Sequence, residues 1–169
     1  MALTATVSID PHVYDTFDNL ISPVPIVATE TINQGDLLVW DATLNAGNGA
    51  ARTPVTQADM ADYLGVSNGQ NPVRSLNDTS NYIPMYNKGV MRFQTTAGEV
   101  YTHLQKVFFN ETLSVQTITN GTNAGARTVA VGFVCLEPQL IMAGTTSLTG
   151  AAGVVVNVFI TPTFPAASY

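Results

Sequence analysis

Residues 31–41, TINQGDLLVWD, decide the fold. Asn33-Gln34-Gly35-Asp36 is a turn, because glycine accepts positive φ and Asn and Asp side chains cap their own backbone. Leu37-Leu38-Val39-Trp40 then places four apolar residues in a row, the chain's single tryptophan among them. A run this short between turn residues reads as a strand buried on both faces, or as the core strand of a small barrel. Trp40 is expected in the core, against the late apolar segments 129–136 or 154–160. Gly98-Glu99-Val100-Tyr101 repeats the arrangement of glycine, acid and apolar residues.

Working outward, residues 41–53 form a loop rich in Asn, Gly and Ala. Thr53-Pro54 can open a short helix over 57–63, with Thr53 as N-cap and proline at the first position. Met60, Tyr63 and Leu64 would lie on its inner side, and Gly65 would end it. Residues 66–81 are polar and turn-rich. Met91, Phe93 and Thr95 alternate with Arg92 and Gln94, the period of a half-buried strand. Ala97-Gly98 turns the chain, and 99–107 continues extended. In 112–119, Leu113 and Val115 alternate with Ser114 and Gln116. Segments 129–136 and 154–161 are the most apolar strands, and 144–153 between them is a loop of small residues.

Seven or eight short strands and one short helix make the chain mainly β, a small barrel or sandwich. Residues 1–28 stand apart from this barrel-like domain of 29–169. The prolines at 11, 23 and 25 forbid regular helix and force extended neighbours. Tyr14, Phe17, Leu20 and Ile21 nevertheless make the segment too apolar for a solvated tail. It reads as an extended arm that serves assembly more than folding, or as one folded back on its own domain.

Asn45-Ala-Gly-Asn-Gly-Ala-Ala-Arg52-Thr53 echoes Asn120-Gly-Thr-Asn-Ala-Gly-Ala-Arg127-Thr128. Each segment leads towards an apolar strand holding Gly65-Val66 or Gly132-Phe-Val. The echo is a loose duplication or chance in a chain rich in Gly, Ala and Asn. If it is a duplication, two similar loops should occupy matching positions of a barrel.

Composition narrows the function. Charged residues are 11% of 169, against about 25% in ordinary globular chains. A surface so poor in charge suits burial against other subunits. The formal charge of −6 and six scattered Lys and Arg exclude nucleic acid as the main partner. No apolar run approaches the ~18 residues of a membrane helix, and no signal peptide is evident at the N-terminus. Cys135, alone in an apolar run, reads as a core thiol, and His103 as a surface or interface histidine within a strand.

Chemistry-bearing constellations are few. Asp10, His12 and Asp15 lie close together, but beside a proline in the arm, whereas a preorganised metal site needs a rigid frame. Asp36 and Asp41 are explained by turn chemistry. There is no nucleophile elbow, and the glycine-rich run 45–51 lacks the lysine of a phosphate-binding loop. No cofactor, metal or catalytic activity is therefore expected.

Several short motifs together resemble tailed-phage head decoration, or capsid cement, proteins. They are Gly35-Asp36-Leu-Leu-Val-Trp40, Ala61-Asp-Tyr-Leu-Gly-Val-Ser67, Lys88-Gly-Val-Met-Arg-Phe93, Gly98-Glu-Val-Tyr101 and Val131-Gly-Phe-Val134. The resemblance spans about residues 26–161. It implies a small β-barrel made in the host cytoplasm and seated on the outer surface of the capsid, without catalysis. The implied partners are the major capsid protein and other copies of the chain, with a trimer favoured. Candidate contacts with capsid or neighbouring subunits are Tyr14, Phe17, Leu20 and Ile21 of the arm, with Arg52 and Arg127 of the echoing segments. The alternative is a tail, fibre or carbohydrate-binding adhesive module, with Trp40, Tyr63, Tyr82, Tyr86 and Tyr101 as an aromatic platform.

Overall fold

The computed structural model describes residues 20–27, 29–68, 82–121 and 129–161, with the backbone alone at 20–23. Strands β1 (Leu20–Pro25), β2 (Leu37–Asp41), β3 (Ala50–Arg52), β4 (Tyr63–Ser67) and β5 (Tyr82–Tyr86) form a sheet in the order β1-β5-β4-β2-β3. A parallel bridge between Ile26 and Ala51 draws its two outer strands together. The chain continues through β6 (Gly89–Thr95), β7 (Val100–Thr102), β8 (Lys106–Phe109), β9 (Thr117–Thr119), β10 (Gly132–Val134), helix α1 (Pro138–Met142), β11 (Ser147–Thr149) and β12 (Val155–Ile160). Five of these strands close into a barrel, β6-β12-β10-β8-β9, and β7 pairs with β11 beside it.

The two five-stranded units are the same structure built twice. In chain order, β1, β2, β3, β4 and β5 correspond to β6, β8, β9, β10 and β12, and each neighbour pair recurs with its direction and, apart from shifts within β1/β5 and β2/β4, its register. Val66 faces Tyr86 as Phe133 faces Phe159. Leu38 faces Gly65 as Val107 faces Gly132, and Trp40 faces Ala51 as Phe109 faces Ile118. The closing contact is parallel in both, Ile26 with Ala51 and Thr95 with Ile118.

The turn before the second strand of each unit also matches. Asn33 N–H donates to the Asp36 carboxylate at 2.7 Å, as Thr102 N–H donates to the Gln105 side-chain carbonyl at 2.9 Å. Glu30 accepts from Thr53 N–H at 3.1 Å, as Glu99 accepts from Asn120 N–H at 2.7 Å.

Interior positions correspond as well. Val24, Ile26, Ile32, Leu38, Trp40, Ala51, Leu64, Ile83 and Met85 pack together inside the first unit. Their counterparts Phe93, Thr95, Tyr101, Val107, Phe109, Ile118, Val131, Val156 and Val158 are all buried in the second. The outer face of the first unit (Leu37, Val39, Tyr63 and Val66) joins the second core. The central strand is thus buried on both faces, as its apolar run requires. The seam is hydrogen-bonded: Leu37 N–H donates to Val115 O at 3.2 Å, and Gln116 Nε2 to Asp36 Oδ1 at 2.7 Å. Burial raises the Asp36 carboxyl above its ordinary value, against the opposing hydrogen bonds from Asn33 and Gln116.

Tyr63 is fully buried at this seam with no partner for its hydroxyl among the described residues, and burial pushes its phenol well up. An unsatisfied buried hydroxyl costs about 1–3 kcal/mol. Tyr63→Phe should therefore stabilise the protein by about 1 kcal/mol, read as a higher denaturation midpoint; a lower midpoint would reveal an undetected partner.

Several expectations are corrected. Trp40 is half-buried inside the first unit, not against 129–136 or 154–160; its ring lies over Gly49, where a Cβ would stand 2.2 Å from Cζ2. Residues 20–25 pair with β5 as a bulged strand although they contain two prolines, so the ordered sheet begins within the segment read as an arm. The short helix is a 3₁₀ turn, Gln57–Asp62, entered at Thr56, whose N–H donates to Asp59 at 2.7 Å. Thr53 hydrogen-bonds Glu30 instead of capping, and β4 runs through Gly65.

Extension across 99–107 breaks at Leu104, which adopts φ +64°. The alternation over 112–119 fails because Asn110 and Ser114 hold turns there, leaving Leu113 55% exposed and Gln116 buried. The loop 144–153 contains β11. Cys135 is half-buried rather than a core thiol, and His103 lies in a turn where its Nδ1 accepts Leu136 N–H at 3.2 Å. The echoing segments do not occupy matching positions. Residues 45–49 join the second and third strands of their unit, whereas Asn120 follows the third strand of its own. The rest of the second segment, 122–128, lies outside the described residues.

Candidate interaction surface

One end of the second barrel gathers four of the nine large apolar residues exposed among the described residues: Leu104, Leu140, Ile141 and Met142. Helix α1 begins with a proline in its first turn, has five residues, and buries none of them. Met142 is 89% exposed, with Leu140 and Ile141 beside it also exposed. The turn at 103–104 is held next to this helix. Leu104 N–H donates to Val134 O at 2.9 Å, His103 N–H to Thr146 O at 3.0 Å, and Thr145 N–H to Leu140 O at 2.8 Å.

Leu104 is 68% exposed and sits in the left-handed region. Its counterpart in the first unit is Gly35, at φ +91°, whose N–H makes the same bond to Ser67 O. The turn accepts glycine without cost, yet the second unit places a bulky apolar residue there, strained by about 1–2 kcal/mol and open to water. Strain and apolar exposure therefore coincide at this one residue.

Tyr14, Phe17 and Arg127 lie outside the described residues; Leu20 and Ile21 begin β1, paired with Tyr86 and Met85. Arg52 is committed within the chain, with Nε 2.8 Å from Asp41, Nη2 2.7 Å from Asp59, and Nη1 donating to Thr53 O. The Thr43 hydroxyl, then Arg52, hold the Asp41 carboxyl down at about 2. Burial opposes the same effect at Asp59, but the Arg52 hydrogen bond and the N–H groups of Thr56 and Val55 prevail and lower it.

The five aromatics do not share an exposed face, since Tyr63 and Tyr101 are buried. Among the described residues no cluster of three or more His, Cys, Asp or Glu could hold a metal, and Asp10, His12 and Asp15 lie outside them. Pro138 after Glu137 was the available sequence signal for α1. No local signal marked Leu104, because an apolar residue in a left-handed turn looks like any strand residue.

No family model and no curated protein matches the chain.

Proposed function

We propose that the protein is a structural virion component, a decoration protein that binds the outside of an assembled tailed-phage head and stabilises it. The observation that carries this reading is the strained, exposed Leu104 beside the exposed apolar helix α1 on a closed barrel. The low charge content and the family resemblance support it. A protein that binds the assembled shell but not its disrupted states stabilises the shell by mass action. Many weak copies suffice, because the shell presents its sites as an array.

The test is to prepare heads lacking the protein and add it back. Bare heads should form yet disrupt at lower temperature, and added protein should restore the wild-type value at a fixed ratio to the major capsid protein. Heads that fail to assemble would make it a shell building block. Equal melting of bare and decorated heads, with host attachment lost, would favour the adhesive module.

Leu104→Gly should separate binding from folding. Relief of strain and the entropic cost of glycine nearly cancel, so stability should change by less than about 1 kcal/mol. Occupancy on heads should fall several-fold, measured by quantitative gel of purified particles. Full occupancy would remove Leu104 from the contact.

A further inference from the structure

We infer that the protein assembles head to tail with a second copy of itself, the outer face of the second barrel packing on the 42–49 loop of the neighbour's first unit. The inference comes from the repeat and does not rest on the head-binding reading.

Within the chain, one such interface already exists. Leu37, Val39 and Val66 on the outer face of the first unit, with Tyr86 packed beside them, are buried against the second. They sit on the connection between β8 and β9, through Leu37 N–H to Val115 O and Gln116 Nε2 to Asp36. Gln57 adds bonds to Phe109 O and, through its N–H, to Glu111 at 2.7 Å. Each unit therefore has two surfaces of this kind: an outer strand face that docks, and the connection between its second and third strands that receives. The first unit uses its docking face, and the second uses its receiving loop.

The complementary pair is left over. At the positions equivalent to Val39, Val66 and Tyr86, the second barrel carries Phe108, Phe133 and Phe159. They lie on the neighbouring strands β8, β10 and β12 and point outward, since their strand neighbours Val107, Phe109, Val134, Val158 and Ile160 are buried. All three are half-buried, and none belongs to either core; Phe108 rests partly against Gly121. Three outward phenylalanines on adjacent strands thus form an apolar stripe that neither core takes up among the described residues, each ring still partly open to water. Lys106 stands at the position of Leu37, at the rim of the face.

The unused receiver is the loop 42–49 between β2 and β3. Ala42, Thr43 and residues 45–48 are exposed. The loop is nonetheless well defined: Asn45, Ala46, Gly47 and Gly49 are left-handed, and Thr43 is bonded to Asp41 through both N–H and hydroxyl. It carries no charge, which suits an aromatic face. Because the two surfaces differ, the contact is heterologous and propagates from chain to chain until it closes in a ring.

The experiment is sedimentation equilibrium of the full chain across a wide concentration range. The wild type should exceed the monomer mass, increasingly so with concentration. Phe133→Glu on the face and Ala46→Glu in the exposed loop should each be monomeric while melting like the wild type. Ala46→Glu guards against a folding defect, because its side chain is exposed in the single chain. Mixed in equal amounts, the two variants should form a dimer and nothing larger, since each retains the surface the other lacks. A monomeric wild type overturns the inference, as does a variant that assembles normally or a mixture that stays monomeric. None of these outcomes would bear on whether the protein binds heads.

Discussion

Gly132→Ala is expected to cost about 3 kcal/mol or more, at the upper end of what overpacking does to a core. A Cβ at this position would stand 2.0 Å from the carbonyl oxygen of Phe159, 2.8 Å from its carbon and 2.9 Å from Cα of Ile160. These are backbone atoms of β12, the strand that makes the longest pairing in the barrel with β6, so the clash has no flexible side chain to absorb it. The repeat supplies an internal duplicate. Gly65 occupies the same position in the first unit, where a Cβ would stand 2.1 Å from Tyr86 O, and Gly65→Ala should be as damaging. Gly98→Ala is the control: its Cβ would enter open space at φ +81°, so it should cost about 1 kcal/mol of local strain. Denaturant midpoints decide the matter. If Gly132→Ala lies within 1 kcal/mol of the wild type, β10 and β12 are not as close as described.

These two glycines also show how the duplication was and was not legible. Gly65-Val66 and Gly132-Phe133 are true equivalents, visible in the sequence because no other residue fits there. The glycine–acid pair that looked repeated, Gly35-Asp36 and Gly98-Glu99, is not equivalent. Gly35-Asp36 corresponds to Leu104-Gln105, where the same turn is built from different residues, while Glu99 corresponds to Glu30. Interior positions such as Leu38 and Val107, or Met85 and Val158, keep burial and lose identity, since a core asks for apolar volume rather than a particular side chain. Alternation exposed β6, which is long enough to show a period of two, whereas β12 stood out by its content of Val and Phe. The three-residue strands β3, β7, β9, β10 and β11 are too short to show one. The outward phenylalanines were hidden for a related reason: in Lys-Val-Phe-Phe, inward and outward residues are both apolar, and the facing cannot be read from the string.

Glu99→Leu should cost on the order of 3 kcal/mol, because it strands donors in the interior of the second barrel. The Glu99 carboxyl is 5% exposed and uses both oxygens: Oε1 accepts the Thr119 hydroxyl at 2.6 Å, and Oε2 accepts Asn120 N–H at 2.7 Å and the Tyr101 hydroxyl at 3.0 Å. Tyr101 would keep Ile118 O at 2.8 Å, and burial, which pushes its phenol up to about 12, keeps it a donor. Asn120 N–H would lose the acceptor that fixes the chain as it leaves β9, and the Thr119 hydroxyl would lose its acceptor as well. Leucine approximates the volume but accepts nothing, so the buried Thr119 hydroxyl and the half-buried Asn120 N–H both lose this acceptor, at about 1–3 kcal/mol for a donor left unsatisfied, less whatever relaxation supplies. Glu99→Gln should lose only about 1 kcal/mol. Its amide oxygen can face Asn120 and Tyr101 while its NH₂ donates to the Thr119 hydroxyl, which can rotate to accept. The order wild type, then Gln, then Leu in denaturation midpoint is the expected result, with slower amide exchange at Asn120 in the wild type than in Glu99→Leu. A leucine variant as stable as the glutamine variant would mean that Glu99 fills space there and holds nothing in place.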